Sequence, residues 1–293
     1  MIVNKGIIVH DPDFVDYYYN EASNYYLNTE GIIDVHGKNV LIFYLPRINN
    51  TFLIRLVCPE TGDIIAEREV NPMQRNRVMF HLPNYEKAII MQGYKKGDKY
   101  DKKNIYYSLH EVDKAILLKE EDWEFYEFVF PIVRYLKDYE IGTYLKSEKG
   151  TYSIKISDYI YQNNKPILAN AGVNVHTGEF IISKINMLNK FTCHERFAIM
   201  CHEYGHFYGN DKLNIHRSNE IGADLYGMKL FMDLKFHPYD YIAAFEKVYS
   251  IVPSKTNKLR LETIYKFAYQ YYKDIKKREV YAKIRYKQLP EKK

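Results

Sequence analysis

The chain has 293 residues, of which 46% are hydrophobic and 27% are charged, and its formal net charge is +5. This composition is typical of a globular protein with one or two domains, and it excludes a disordered chain. No run of about 18 apolar residues is present, so we expect no membrane span and no membrane partner. The first residues lack the apolar segment of a signal peptide, and the three cysteines form no CxxC pair. Both observations predict a reducing, cytoplasmic location.

The two ends of the chain differ from the rest in composition. Residues 1–30 are polar and aromatic without a clear period, and we assign them only as a lead-in segment. Residues 273–293 contain nine Lys or Arg and three acidic residues, a net charge of +6, with Tyr281 and Tyr286 among them. Such a basic tail is either a solvated helix face that frays or a contact for nucleic acid. We therefore expect nucleic acid as a partner only through this tail.

Residues 31–115 contain seven short apolar runs separated by turn signals such as PETGD and KGD. The runs are GIIDV, NVLIFYL, TFLIRLVC, DIIAEREV, RVMFHL, KAIIMQGY and IYYSLHEV. Runs of strand length at this close spacing predict an antiparallel β-sandwich over residues 31–115. Their order resembles an immunoglobulin-like or fibronectin-like module, although the cysteine pair and strand tryptophan of antibody domains are absent.

Helical periodicity begins after residue 115. Residues 120–140 have apolar positions at helical spacing, and Pro131 at their centre predicts a kink or a split. Three β segments follow, TYSIKISDYIY, PILANAGVNV and FIISKINML, with a hairpin turn predicted at residues 176–179. From residue 191 onward the pattern is helical. The sequence therefore predicts an α+β fold, in which the β-sandwich precedes an α+β domain at residues 116–272 with a helical C-terminus.

A metal-binding spacing occurs in CHEYGHFYGNDKLNIHRSNEIGAD, residues 201–224. Upstream, Thr192 and Glu195 match the Ser/Thr-x-x-Glu capping box, which predicts that a helix begins there with Thr192 as its N-cap. On that helix His202 and His206 lie one turn apart and can bind one ion. Glu203 is rotated by about 100° from His202, so it lies beside the ion and can take a proton from water.

A third ligand is needed because two histidines do not complete a zinc site. In the next predicted helix, Glu220 and Asp224 lie one turn apart on one face. Glu220 can complete a His2Glu set that leaves the fourth position open for water. Asp224 can accept a hydrogen bond from the outer nitrogen of a ligand histidine. Asp211 and His216 remain alternative ligands.

The pattern HEYGH followed by ExxxD resembles the gluzincin group of zinc metallopeptidases, and the similarity covers about residues 150–235. The resemblance implies a zincin-like domain in which His202, His206 and Glu220 bind zinc. It also implies that Glu203 is the general base and that Asp224 supports a ligand histidine. The interval from His206 to Glu220 is short for the group, which requires a tight turn between the two helices. An edge strand that pairs with an extended substrate backbone is implied at Phe180, Ile181, Ile182, Ser183 and Lys184.

Two functions are consistent with these patterns. The first is a zinc-dependent endopeptidase that hydrolyses peptide bonds in a protein or peptide substrate, with Glu203 as general base for a metal-activated water. The oxyanion donor of that reaction is expected to be Tyr226, His216 or Tyr204. The alternative is a structural or assembly protein, for example in a phage virion, whose zincin-like domain and immunoglobulin-like module bind protein partners. The 30 tyrosines, clustered as in DYYYNEASNYYLN, favour such protein interfaces.

Overall fold

The computed structural model describes residues 18–20, 25–35, 40–44, 52–70, 77–83, 85, 87–95, 106–110, 118–174, 176–208 and 219–287. Within these ranges the fold is mixed α+β, as the sequence predicts, with six helices and several small sheets. The N-terminal strands are β1 Tyr18–Asn20, β2 Tyr25–Asp34, β3 Val40–Tyr44, β4 Phe52–Val57, β5 Ile64–Val70, β6 Arg77–His81, β7 Lys87–Lys95 and β8 Tyr106–His110. The later strands are β9 Tyr144–Lys146, β10 Ser153–Ser157, β11 Ile160–Gln162, β12 Lys165–Ile167, β13 Ala171–Val173 and β14 Phe180–Ser183. The helices are α1 Glu120–Arg134, α2 Lys184–Lys190, α3 Cys193–Phe207, α4 Glu220–Asp233, α5 Pro238–Ile251 and α6 Lys255–Lys287.

Strands β1–β8 form two antiparallel sheets, one with the order β1-β2-β7-β4-β5 and one with the order β6-β3-β8. Strand β4 is buried on both faces, and its one charged side chain, Arg55, pairs with Glu67 of β5 at 3.0 Å. The turn between β4 and β5 places Gly62 at φ +67°, where glycine is favoured because it lacks a Cβ. Antiparallel strands are therefore present where the sequence predicts them. Strands β1 and β2 also extend into the segment assigned as lead-in.

A four-stranded sheet, with the order β13-β14-β10-β9, lies beside the helices of the C-terminal half. Strand β14 pairs in parallel with β10 on one side and antiparallel with β13 on the other. The predicted hairpin between β13 and β14 is confirmed: Gly178 lies at φ +74° and donates its N–H to the carbonyl of Asn174 at 2.8 Å. Strands β13 and β9 are therefore the two edges of this sheet.

Helix α1 is a single helix rather than two. Pro131 lies in its last turn, and the chain continues as a short 3-10 turn at Leu136–Asp138. Proline cannot donate a backbone hydrogen bond, so the helix continues through residue 131 without one bond to the carbonyl of residue 127. The predicted split at residue 131 is wrong, because the helix runs on to Arg134.

Helix α3 begins at the predicted capping box. The Thr192 hydroxyl accepts a hydrogen bond from the Glu195 N–H, and the Glu195 carboxylate accepts one from the Thr192 N–H at 2.8 Å. Twelve of its 15 residues are buried, so other elements must pack around nearly the whole helix.

Two glycines allow α3 and α4 to approach each other at backbone distance. A Cβ on Gly205 of α3 would lie 2.7 Å from the carbonyl oxygen of Ala223 in α4. A Cβ on Gly227 of α4 would lie 2.7 Å from the carbonyl oxygen of Cys201 in α3. Real Cβ atoms do not approach oxygen so closely, so only glycine permits this contact at both positions. The close approach positions the first turn of α4 beside the histidines of α3.

Several predicted features lie outside the described residues. They are Asp211, His216, the link of residues 209–218 between α3 and α4, and residues 1–17 and 288–293 at the two ends. The basic tail is helical as far as Lys287, within α6. Among the described residues, no helix combines the length and the apolar character needed to cross a bilayer.

Candidate metal centre

His202 and His206 lie one turn apart on the second half of α3, as the spacing predicts. Their Nε2 atoms are 3.0 Å apart, and the ring planes are nearly perpendicular at 86°. Both side chains are largely buried, with 8% and 11% of their surface exposed. The two nitrogens therefore point at one common position.

Glu220 is brought to the same position by the start of α4. The Asn219 side chain accepts a hydrogen bond from the Gly222 N–H at 3.1 Å and caps the helix, so Glu220 occupies the first turn. Its Oε2 lies 3.5 Å from Nε2 of His202 and 3.6 Å from Nε2 of His206. The sequence prediction that Glu220 joins the two histidines is thus met by the geometry, even though the intervening link is short.

The spacing of these three atoms fits a zinc ion. Ligand atoms about 2.0–2.1 Å from a tetrahedral zinc are about 3.3 Å from one another. The observed separations of 3.0, 3.5 and 3.6 Å bracket that value, and a point about 2.05 Å from all three atoms lies roughly 0.6 Å from their plane. Among the described residues, this is the one group of three His, Cys, Asp or Glu side chains close enough to hold an ion.

The charges around the three atoms favour a cation at this position. Hydrogen bonds from His202 and His206 hold the pKa of Glu220 well below its usual range. Burial alone would lower the pKa of His202, but the carboxylates of Asp224 and Glu220 beside the ring raise that pKa to about 10. An imidazole that binds a proton this strongly lies in a field that also stabilises a metal cation.

Asp224 lies behind His202, on the side away from the common position. Its Oδ1 is 2.9 Å from Nδ1 of His202, although the N–H is not directed along the line between the two atoms. Arg260 of α6 donates to both oxygens of Asp224, from Nε at 2.7 Å and from Nη2 at 2.9 Å. The Tyr249 hydroxyl lies 3.1 and 3.2 Å from the same oxygens. Asp224 is therefore fixed in place beside Nδ1 of His202, the nitrogen from which the sequence predicts it to accept a hydrogen bond.

Arg260 and Tyr249 contact the candidate site, and the sequence alone did not identify them. Arg260 also contacts Oε2 of Glu220 through Nη2 at 2.8 Å, so one guanidinium contacts both Glu220 and Asp224. It lies 36 residues after Asp224, on a different helix, and no local spacing connects the two. A search for arginines on the helices that follow ExxxD would have identified it as one of several candidates.

Glu203 is positioned beside the common position rather than on it. Burial raises the pKa of its carboxyl group, and the charges of His202 and His206 oppose that effect. The backbone of Val173 in strand β13 lies beside this carboxylate and also acts to lower its pKa. A carboxylate with a raised pKa, next to two imidazoles and an open strand edge, suits a group that takes up and releases a proton.

The strand predicted to pair with a substrate is not available for pairing. Residues 180–183 form β14, whose backbone already pairs with β10 and β13, and Lys184 begins α2. The two edge strands of the described sheet are β13 at residues 171–173 and β9 at residues 144–146, and β13 is the one beside Glu203. The sequence pattern correctly identifies the hairpin, but the edge strand is its first strand and not its second.

Two of the three predicted oxyanion donors are used elsewhere. The Tyr204 hydroxyl donates to Oδ1 of Asp122 in α1 at 2.9 Å, and the Tyr226 hydroxyl contacts the same atom at 3.5 Å. Both rings are buried between α1, α3 and α4, and they tie these helices together. Neither hydroxyl is therefore free to stabilise an oxyanion at the histidines. The third candidate, His216, lies outside the described residues.

A cavity of about 350 Å³ lies next to Arg260 and Tyr249. Its walls come from the segment before β13 and from the end of α5, and they include Leu168, Asn170, Ile251 and Val252. The Asn170 side chain is 6% exposed, and its Oδ1 has no hydrogen-bond partner. The cavity is thus mainly apolar with one unsatisfied acceptor.

Comparison with known proteins gives no match. No family model, no curated protein and no solved structure is similar to this chain at a significant level.

Proposed function

We propose that the protein is a zinc-dependent endopeptidase. The observation that carries this proposal is the triangle of His202 Nε2, His206 Nε2 and Glu220 Oε2, whose sides of 3.0 to 3.6 Å match tetrahedral zinc. Three protein ligands leave one position open, which is typical of catalytic rather than structural zinc sites. Glu203 beside the triangle and Asp224 behind it supply the base and the support that such a site needs.

The proposed chemistry divides the work between the ion and the side chains. Zinc, when bound, lowers the pKa of water and polarises a carbonyl oxygen. Glu203 takes a proton from the attacking water while the water oxygen forms a bond to the carbonyl carbon. The C–N bond then breaks, and Glu203 delivers that proton to the leaving nitrogen, so the carboxylate is regenerated. The raised pKa of Glu203 favours this transfer because it brings the carboxyl group closer to neutral pH.

The proposed substrate is an extended polypeptide. The free edge of β13 can pair with an extended backbone. On this edge the backbone of Val173 lies beside the Glu203 carboxylate. The cavity lined by Leu168, Ile251 and Val252 can hold an apolar side chain close to this edge. When a substrate backbone pairs with β13, its carbonyl replaces the Glu203 carboxylate as the partner of the Val173 backbone. The carboxylate is then available for proton transfer.

The β-sandwich and the alternative function remain proposals. Leu41 and Phe80 of the smaller N-terminal sheet are buried in the same cluster as Ile33 and Ile54 of the larger one, which supports a sandwich of the two sheets.

A structural or assembly role with protein partners is the second candidate, and the exposed tyrosines of the helices support it, notably Tyr269 at 73% exposure.

The experiment that tests the proposal combines metal analysis with one substitution. Purified protein is expected to contain one zinc per chain and to cleave an unfolded, fluorescently labelled protein. Glu203→Gln is expected to keep the zinc and to lower the cleavage rate by about 10² to 10⁴-fold. The control Glu262→Gln changes an exposed glutamate of α6 and is expected to leave the rate unchanged. Protein without zinc, or equal cleavage by Glu203→Gln, would contradict the proposal.

A further inference from the structure

Residues 60–68, which form the β4–β5 turn and the first part of β5, contact the helices of the C-terminal half through several charged side chains. The first of these contacts involves Asp63. Its Oδ2 accepts a hydrogen bond from Nη2 of Arg196 in α3 at 2.8 Å, and its Oδ1 pairs with Lys137. Asp63 and Arg196 are 6% and 2% exposed, so this pair is inside the protein.

Arg68 makes a second buried pair, with Asp240 in the first turn of α5. Nη1 of Arg68 donates to Oδ1 of Asp240, and Nη2 donates to Oδ2 at 3.0 Å. Asp240 Oδ2 also lies 3.3 Å from Nδ1 of His194, which belongs to α3. A single carboxylate therefore links strand β5, helix α5 and helix α3.

Two further contacts extend the same interface. Nζ of Lys247 in α5 donates to Oε1 of Glu67 in β5 at 3.3 Å and to Oε2 of Glu195 at 2.8 Å. Glu195 is the residue whose carboxylate caps α3, so the start of the helix is connected to β5 through one lysine. At the other end of the segment, Glu60 accepts hydrogen bonds from Arg134 of α1 at 2.7 Å and from the Tyr135 hydroxyl at 2.8 Å.

The apolar core is continuous across the same boundary. Tyr85 packs edge-on against Phe130 of α1 at 6.1 Å between ring centroids, and its hydroxyl contacts Sγ of Cys193 in α3 at 3.3 Å. Every residue of α3 from Cys193 to His202 is buried, although the helix turns through almost three turns over that length. A helix buried all round needs partners on every side, and β5 with residues 60–68 supplies one of them.

We infer that the strands around residues 52–85 and the helices α1, α3 and α5 form one cooperative folding unit, in which residues 60–68 are the intramolecular surface that holds α3. The strands are then not a detachable accessory to the helical half. Separation would expose the apolar side of α3, and a break at one partner would leave a charge such as Arg196 buried without its counterpart. This inference does not depend on zinc or on the proposed activity.

The chain offers a direct test because its one tryptophan, Trp123, lies in α1 and reports only on the helical half. Asp63→Asn in the full-length protein removes a charge from the strand half. We expect the denaturant midpoint followed by Trp123 fluorescence to fall, with the ratio of folded to unfolded protein in water reduced by about 100-fold or more. Hydrogen exchange, measured by mass spectrometry, is expected to increase in both β5 and residues 193–201 of α3.

The matched control is Glu69→Gln, which changes an exposed acid on strand β5, directly after the turn that contains Asp63, and is expected to move neither measurement. If Asp63→Asn does not fold, Lys137→Met removes the half-exposed partner of Asp63 and is expected to shift both measurements in the same direction by less. Two separate unfolding transitions would overturn the inference. So would faster hydrogen exchange in β5 of Asp63→Asn or Lys137→Met if the denaturant midpoint followed by Trp123 stays unchanged.

Discussion

Asp224→Asn tests whether the residue behind His202 sets the affinity of the site for zinc. The substitution keeps the size of the side chain but replaces one oxygen by an NH2 group. The carboxylate now accepts from Arg260 at 2.7 and 2.9 Å and lies 2.9 Å from Nδ1 of His202, and an amide cannot replace all of these contacts. Loss of such a support to a ligand histidine costs about 10 to 100-fold in metal affinity, which is about 1.4 to 2.7 kcal/mol.

The affinity is best measured by competition with a chromophoric zinc chelator at neutral pH, with the metal-free proteins melted in parallel. The metal-free variant is also expected to lose about 1.5 to 3 kcal/mol of stability, because Arg260 loses a charged acceptor while it keeps Glu220. Asp138→Asn is the matched control, since that aspartate is exposed on the 3-10 turn. A folded Asp224→Asn protein that binds zinc within a factor of two of the unmodified protein would refute the assigned role.

Two further predictions concern the stability of the fold. Gly205→Ala places a Cβ against the backbone of α4, and we expect it to lower the free energy of unfolding in urea by about 1 to 3 kcal/mol and to weaken zinc binding. The control is Gly172→Ala, whose Cβ meets only Ile160 at 4.0 Å and which is expected to change stability little. Equal effects of the two substitutions would contradict the contact between α3 and α4. Burial lowers the pKa of His81 to about 4, so its neutral form contributes stability that is complete above about pH 6.5 and is lost as the pH falls towards 4. The loss is up to about 3 kcal/mol. His81→Gln is expected to flatten the dependence of the unfolding midpoint on pH in this window, and an unchanged slope would count against burial as its cause.

The parts of the site that the sequence predicts are those set by local spacing. His202, Glu203 and His206 share one helix turn, and the capping box at Thr192 determines where that helix begins. Glu220 and Asp224 are likewise positioned by the start of α4 at Asn219. Backbone hydrogen bonding within a helix fixes these relations whatever the rest of the chain does, so they can be predicted without knowledge of the fold.

The parts that the sequence does not predict depend on contacts between distant segments. The order of the strands places β14 inside its sheet because it pairs in parallel with β10, and no local pattern in residues 180–183 records that pairing. The hydroxyl of Tyr204 is used by Asp122, which is 82 residues away in the sequence. Arg260 reaches Asp224 from a third helix. Each of these contacts is determined by packing, where many alternatives have similar local sequence patterns.

The contact of α3 with α4 through Gly205 and Gly227 also bears on which ions the protein can select. Backbone atoms of each helix fill the space beside the glycine of the other, so neither helix can move closer or slide without a clash. The spacing between the histidines and Glu220 is consequently set by the main chain and cannot adjust easily to a larger ion. Calcium, with bonds of about 2.3 to 2.6 Å and a need for six to eight oxygen ligands, is a poor fit to such a rigid, nitrogen-rich triangle. In the proposed zinc site, the two glycines would thus favour a small ion over a larger one.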